Sequence, residues 1–190
     1  EGKYLDSLPE VLATFSCVYF SGISLALLSV DDRELLLKLL TSYRNMGGKV
    51  AFDSNYRPRL WASANDAQIW IDRAYALSDT AFPSQDDEAA LRGEHSAEAL
   101  INRISDLGVD EIVLKDGASG ATVKVGDTTH KIAADPVEQI VDTTAAGDSF
   151  NGAYLASRLN GSDAATATSA GCKAAAKVIQ FRGAIIPSDV

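Results

Sequence analysis

The stretch Val141-Asp142-Thr143-Thr144-Ala145-Ala146-Gly147-Asp148-Ser149-Phe150-Asn151-Gly152 joins an anion cradle to a carboxylate. Small side chains at Ala145, Ala146 and Gly147 let a charged ligand approach the main chain. The apolar spacing that follows (Phe150, Ala153, Tyr154, Leu155, Leu159) predicts a helix beginning there. The N–H groups at a helix start point outward at the positive end of its dipole. There they stabilise phosphate oxygens, or the charge that builds up as a phosphoryl group moves. Asp148, beside that cradle, is placed to accept the proton of an attacking hydroxyl. The same residues also satisfy a plain helix N-terminus in which Thr143, Thr144 and Asp148 serve only as caps.

Working outward, Val50-Ala51-Phe52 reads as a strand running into the loop Asp53-Ser54-Asn55-Tyr56-Arg57-Pro58-Arg59-Leu60-Trp61, where Pro58 forbids continued sheet pairing. Loops at strand carboxyl ends are where open α/β sheets bind ligands, and two guanidiniums there could grip phosphate or carboxylate bidentately. A solvated basic loop has the same composition. Lys115-Asp116-Gly117-Ala118-Ser119-Gly120 follows the strand Glu111-Ile112-Val113-Leu114. Its glycines permit positive φ and close backbone approach to a ligand, as a plain hairpin would also require. Ser84-Gln85-Asp86-Asp87-Glu88 reads equally as a polar site or as a capping cluster opening a helix.

The order D-T-T-A-A-G-D-S-F-x-G-A from Asp142 to Ala153 resembles the second signature of the ribokinase-like sugar kinases, D-T-x-G-A-G-D-x-F, with Ala145 replacing the first glycine. The segment Asp53–Trp61 resembles the D-x-N-x-R-P-x-L-W segment of 2-keto-3-deoxygluconate kinases within that family. Tyr19-Phe20-Ser21-Gly22-Ile23-Ser24-Leu25 is similar to the family's strand ending in S-G-I-S/T-L, and Lys115–Gly120 to its K-x-G-x-x-G turn. Gly171-Cys172-Lys173-Ala174-Ala175-Ala176 and Gln180–Pro187 resemble its adenine-side helix and closing G-A segment, although close helix packing explains their small side chains equally well. Ser84 and Asp87 stand where the family has the asparagine and glutamate of N-x-x-E, so no metal ligand is assigned.

The resemblance covers nearly the whole chain. It implies Asp148 as the base that activates the sugar hydroxyl, with Ala145, Ala146 and Gly147 supplying the anion hole. Asn55, Tyr56, Arg57, Ser84, Lys115, Gly117, Gly120 and Cys172 fall on the nucleotide side, and Arg57 lies between nucleotide phosphates and an acid sugar. ATP and Mg2+ are the implied cofactors; a monovalent cation near Asp142 and Thr144 is left open. The implied reaction is phosphorylation of a small acid sugar, 2-keto-3-deoxygluconate, to its 6-phosphate. The alternatives are a fructokinase or ribokinase type of acceptor, or a truncated nucleotide-binding module that does no chemistry.

With 190 residues and 46% hydrophobic content, one α/β domain over 1–190 is expected. A formal charge of −9 argues against nucleic acid or an anionic membrane as partner. Cys17 and Cys172 show no disulfide or C-x-x-C pattern, and His95 and His130 show no metal-ligand spacing; a reducing cytoplasm fits. Apolar runs are too short to cross a bilayer. Walker-type G-x-x-x-x-G-K-S/T and the protein-kinase H-R-D and D-F-G sets are absent, which removes other common ATP-using classes.

Alternating strand and helix signals predict helices over Asp6–Phe15, Asp31–Met46, Asp66–Ala76, Asp86–Leu91, Ala97–Leu107, Gly147–Leu159 and Asp163–Phe181. Strands are predicted over Val18–Ser21, Lys49–Asp53, Thr80–Pro83 and Glu111–Lys115, with an antiparallel pair Ala121–Val125 and Thr129–Ala133. This order implies a three-layer α/β fold, a mostly parallel sheet with helices on both faces, of ribokinase-like type. The family's N-terminal portion, with its glycine-rich first motif, central strands and β lid, is not found in this sequence. Glu1 would fall inside such a protein, and an unpaired sheet edge open to self-association is expected.

Overall fold

The computed structural model describes residues 8–186, so the beginning of the helix expected over Asp6–Phe15 and Pro187 of the closing segment lie outside the described residues. The chain forms two compact units, Glu1–Leu114 and Lys115–Val190.

In the first unit, strands β1 (Cys17–Ser21), β2 (Lys49–Asp53), β3 (Thr80–Phe82) and β4 (Glu111–Lys115) pair in parallel in that order. The register sets Ser21 against Asp53 and Asp53 against Phe82, so the chain leaves β1, β2 and β3 at one level. Parallel neighbours need crossover connections, and helices supply them. After a leading helix α1 (Leu8–Leu12), these are α2 (Gly22–Ala26), α3 (Val30–Asn45), α4 (Ala64–Ala76), α5 (Gln85–Arg92) and α6 (Ala97–Asp106). Phe20, Phe52 and Tyr75 form a continuous aromatic line with centroids 4.8 and 5.3 Å apart, and Leu25, Leu40, Ile71, Leu100, Ile104 and Ile112 are fully buried around it.

Four helices of this unit begin alike. Ser29, Ser63, Ser84 and Ser96 sit just outside the helix in extended conformation, and each hydroxyl accepts the N–H three residues on. That is why α3 and α4 start earlier than Asp31 and Asp66: the acidic residues occupy the first turn and the caps precede it. Two short elements escape the periodicity, α2 and the 3-10 turn Pro58–Leu60, because neither is long enough to show one.

In the second unit, β5 (Ala121–Val125) and β6 (Thr128–Ile132) form the expected antiparallel hairpin across Gly126-Asp127. Helices α7 (Ala146–Leu159) and α8 (Ala164–Val178) pack on each other. Gly171 permits this, since a Cβ there would fall 2.8 Å from the Phe150 ring. Helix α8 is shorter than the expected Asp163–Phe181: Asp163 is its N-cap, accepting the Thr166 N–H, and the helix closes at Ile179. Among the described residues no helix is long and apolar enough to cross a membrane.

Candidate functional site

In the second unit the start of α7 has no side-chain cap. Ala145 takes the N-cap position in left-handed conformation, φ 61° and ψ 13°. Thr144 does not cap; its N–H and hydroxyl both donate to Asp142 Oδ1, at 2.9 and 2.6 Å. The first bond of the helical ladder runs from the Ser149 N–H to the Ala145 carbonyl at 2.8 Å, so the amides of Gly147 and Asp148 precede it and have no carbonyl within the helix. Lys115 Nζ stands 3.6 Å from where a Cβ on Gly147 would lie, and Asp148 is exposed in the first turn. Open amides, a dipole end and an ammonium group together suit an anion, with a carboxylate beside it.

The methyl group of Ala145 makes this turn costlier than the family's glycine would, by about 1 kcal/mol for a left-handed alanine. Ala145→Gly should therefore raise stability slightly, by up to about 1 kcal/mol after the added freedom of the unfolded chain is subtracted. Ala145→Val should lower it. Thermal melts should rank Gly above Ala above Val, and the reverse order would mean that residue 145 is not left-handed.

Asp142 also accepts the Gly183 N–H at 2.9 Å, tying the segment after α8 back to the loop before α7. Hydrogen bonds from the Thr144 hydroxyl, then from the Gly183 and Thr144 amides, pull its carboxyl down to about 2. The folded value lies below the unfolded one, so the tether's stabilisation is complete above the unfolded value of about 4 and is lost as pH falls through about 2. The Gly183 amide shift followed by NMR should titrate near pH 2; a midpoint near 4 would mean that the tether does not form.

At the turn after β4, the Asp116 N–H donates to the Gly120 carbonyl at 2.8 Å around the 3-10 turn Gly117–Ser119. Gly117 has φ 49° and open space at its Cβ position. Gly120 is buried with φ 94°, and a Cβ there would fall 2.0 Å from the Ile132 carbonyl oxygen, so packing on the end of β6 already demands glycine. Cys172 is buried on α8, and burial pushes its thiol up, with Asp135 adding to the shift.

In the first unit, the loop leaving β2 brings together Asn55, Tyr56, Arg57 and Ser84. The Asn55 N–H donates to Asp53 Oδ1 at 3.0 Å and the Tyr19 hydroxyl to Asp53 Oδ2 at 3.4 Å. Asn55 has φ 31°, a conformation asparagine tolerates better than most residues. Its Oδ1 is buried without a donor among the described residues, an acceptor that a ligand's N–H or O–H could satisfy. Asp87 gathers the rest: its Oδ2 accepts the Tyr56 N–H at 3.1 Å and its Oδ1 pairs with Arg57 Nη1 at 3.2 Å. The same Nη1 donates to the Tyr56 carbonyl at 2.8 Å. Arg57 is 53% exposed at its side chain, so its fork is accessible to an anion. Burial pushes the Asp87 carboxyl up, opposed by Arg57 and reinforced by Asp53. The Ser84 hydroxyl accepts the Asp87 N–H at 3.1 Å, which is the capping alternative realised.

Asp53, Tyr19 and Asp87 join this arrangement without having been assigned a role from the sequence. The visible signal was that Asp87 falls at the glutamate position of N-x-x-E and Asp53 begins D-x-N. Among the described residues no group of three or more His, Cys, Asp or Glu could hold a metal ion. The Asp53 and Asp87 carboxylates are the acidic groups flanking this loop. Both Asp87 oxygens are engaged, by the Tyr56 N–H and by Arg57, and Asp53 Oδ1 by the Asn55 N–H.

The pfkB family carbohydrate kinase model matches residues 3–190. The 2-dehydro-3-deoxygluconokinase of Escherichia coli K12 is 46% identical over 192 residues, covering 100% of this chain and 62% of that protein. The enzyme of the same name from Dickeya dadantii is 45% identical with the same coverage. The chain thus spans less than two thirds of the length of these relatives. Among solved structures, a putative ribokinase II from E. coli in complex with ATP and Mg2+ superposes with TM-score 0.81 at 27% identity, over 93% of this chain and 56% of that one. The aminoimidazole riboside kinase of Salmonella enterica, complexed with aminoimidazole riboside and an ATP analogue, gives 0.77 at 32% identity over 88% and 57%. The fold is therefore ribokinase-like, and this chain belongs to the pfkB family of carbohydrate kinases.

Proposed function

We propose that this chain is the nucleotide-binding and base-bearing portion of an ATP-dependent kinase whose acceptor is an acid sugar, 2-keto-3-deoxygluconate, converted to its 6-phosphate. The observation that carries the reading is the uncapped start of α7, with Lys115 beside Gly147 and Asp148 exposed in the first turn. Its similarity to 2-dehydro-3-deoxygluconokinases over the whole chain supports the choice of acceptor.

In this reading Asp148 accepts the proton of the sugar hydroxyl as that oxygen forms its bond to the γ-phosphorus of ATP and the bond to the ADP oxygen breaks. The amides of Gly147 and Asp148, with Lys115, hold the charge that spreads over the transferring group; of the small residues expected to form the anion hole, Ala146 already gives its N–H to the Thr143 carbonyl at 3.2 Å. By the family resemblance, Asn55, Tyr56, Arg57 and Ser84 of the first unit are assigned to the nucleotide, as are Gly117, Gly120 and Cys172 of the second, and Arg57 is assigned to the sugar carboxylate as well. Mg2+ carried with ATP would neutralise phosphate charge when bound; Asp87, whose two oxygens hold Tyr56 and Arg57, is not assigned to it. A monovalent cation at Asp142 would oppose the charge at the same helix start.

Phosphate transfer by the whole protein, assayed with 2-keto-3-deoxygluconate, gluconate, fructose and ribose, tests the assignment. The highest kcat/KM is expected for 2-keto-3-deoxygluconate. A higher value for fructose or ribose would transfer the chain to the neutral-sugar kinases, and ATP binding without transfer to any sugar would make it a non-catalytic module. Arg57→Lys should weaken both nucleotide and acid sugar by about 10-fold, because a point charge cannot reproduce the planar fork. Arg59→Lys should matter less. Equal effects of the two variants in calorimetric titrations would defeat the role given to Arg57.

A further inference from the structure

Glu88 lies one residue beyond Asp87 on α5, is fully buried, and takes no part in the chemistry above. The Tyr75 hydroxyl donates to its Oε1 at 2.8 Å and Arg103 Nη2 to its Oε2 at 2.6 Å; Arg92 Nε stands 3.3 Å from the same oxygen. Both guanidiniums also reach Asp72 Oδ1, Arg92 at 2.6 Å and Arg103 at 3.1 Å. Two carboxylates and two guanidiniums thus close a charge-balanced cluster, which ties α5 to α4 through Asp72 and Tyr75 and to α6 through Arg103. Burial pushes the Glu88 carboxyl up against the opposing pull of Arg103, Tyr75 and Arg92.

An apolar cluster of the same volume would hold three helices together at least as well, because desolvating ions consumes most of their attraction. Directed hydrogen bonds add a fixed rotation of the helix, which apolar packing enforces weakly. One residue step turns a helix by about 100°. With Glu88 held in the cluster, Asp87 is therefore held toward the loop after β2, where it accepts the Tyr56 N–H and pairs with Arg57. We infer that the Glu88–Arg103–Asp72–Arg92 cluster positions the anion-binding loop, by locking the first turn of α5 so that Asp87 can grip Tyr56 and Arg57. Arg103 is a positioning residue: it acts through Asp87 and touches no substrate.

The kinetic part of the test rests on the function proposed above; the structural part does not. In the whole protein, Arg103→Met should speed hydrogen exchange at the Tyr56 amide about 10-fold while leaving that of Phe52 in β2 unchanged, and Arg103→Lys should restore most of the protection. The KM for 2-keto-3-deoxygluconate should rise about 10-fold with kcat within about twofold. In an Asp87→Ala background, where the grip is already gone, Arg103→Met should change neither quantity further, since residues acting through one contact are not additive. Unchanged Tyr56 protection in Arg103→Met, or effects that add in the double variant, would overturn the inference. Should Arg103→Met fail to fold, Asp72→Asn, which leaves Glu88 paired, carries the same expectations at smaller size and the same overturning results. If no sugar is phosphorylated at all, the proposed function fails, while Tyr56 exchange still decides the role of the cluster.

Discussion

Asp148→Asn in the whole protein is expected to lower turnover by roughly 10²–10⁴-fold and to leave nucleotide affinity nearly unchanged. The asparagine amide keeps the size and hydrogen-bonding reach of the carboxylate but cannot take a proton from an attacking hydroxyl. The helix start would survive the change, because Ala145 holds the N-cap position and asparagine keeps the shape of the side chain in the first turn. The amides and Lys115 proposed to meet the phosphate would therefore remain. Steady-state kinetics with calorimetric titration of ATP separates the two effects. Turnover at the parent rate would reduce Asp148 to an exposed residue in the first turn of α7. A large loss of ATP affinity would place it among the binding groups.

Gly22→Ala is expected to cost about 3 kcal/mol of stability, a large effect for the addition of one methyl group. A Cβ on Gly22 would fall 2.0 Å from the Ser54 carbonyl oxygen and 3.1 Å from its carbon, and neither is the end of a flexible side chain. Main chain must shift, and the part that shifts leads into Asn55, Tyr56 and Arg57. Denaturant unfolding measures the loss, and the loop should lose the Tyr56 N–H bond to Asp87 along with it. Gly152→Ala is the matched comparison: it lies within α7 with no heavy atom near its Cβ position, so the change should stabilise by up to about 1 kcal/mol. Equal behaviour of the two variants would mean that β1 and β2 do not bring their exits together as described.

Much of the architecture is legible residue by residue. Strands Lys49–Asp53, Glu111–Lys115 and Ala121–Val125 begin and end where apolar runs meet turn residues, and α7 begins within a residue of the expected Gly147. These are local decisions, made by side-chain periodicity and by neighbours a few positions away. The sequence by itself determined the strand and helix order and the family, and it singled out Asp148 and the small residues before it as candidates. It also marked the Asp53–Trp61 loop. Tertiary structure alone decided the partners. Asp87 meets a Tyr56 amide 31 residues away, Glu88 meets Arg103, Gly22 meets Ser54 and Gly120 meets Ile132. The left-handed turn at Ala145 likewise contradicts alanine's own preference and is imposed by its surroundings. Contacts of this kind depend on strand register and on where crossovers return the chain. Those are fixed by packing of the whole unit, so no window of local sequence contains them.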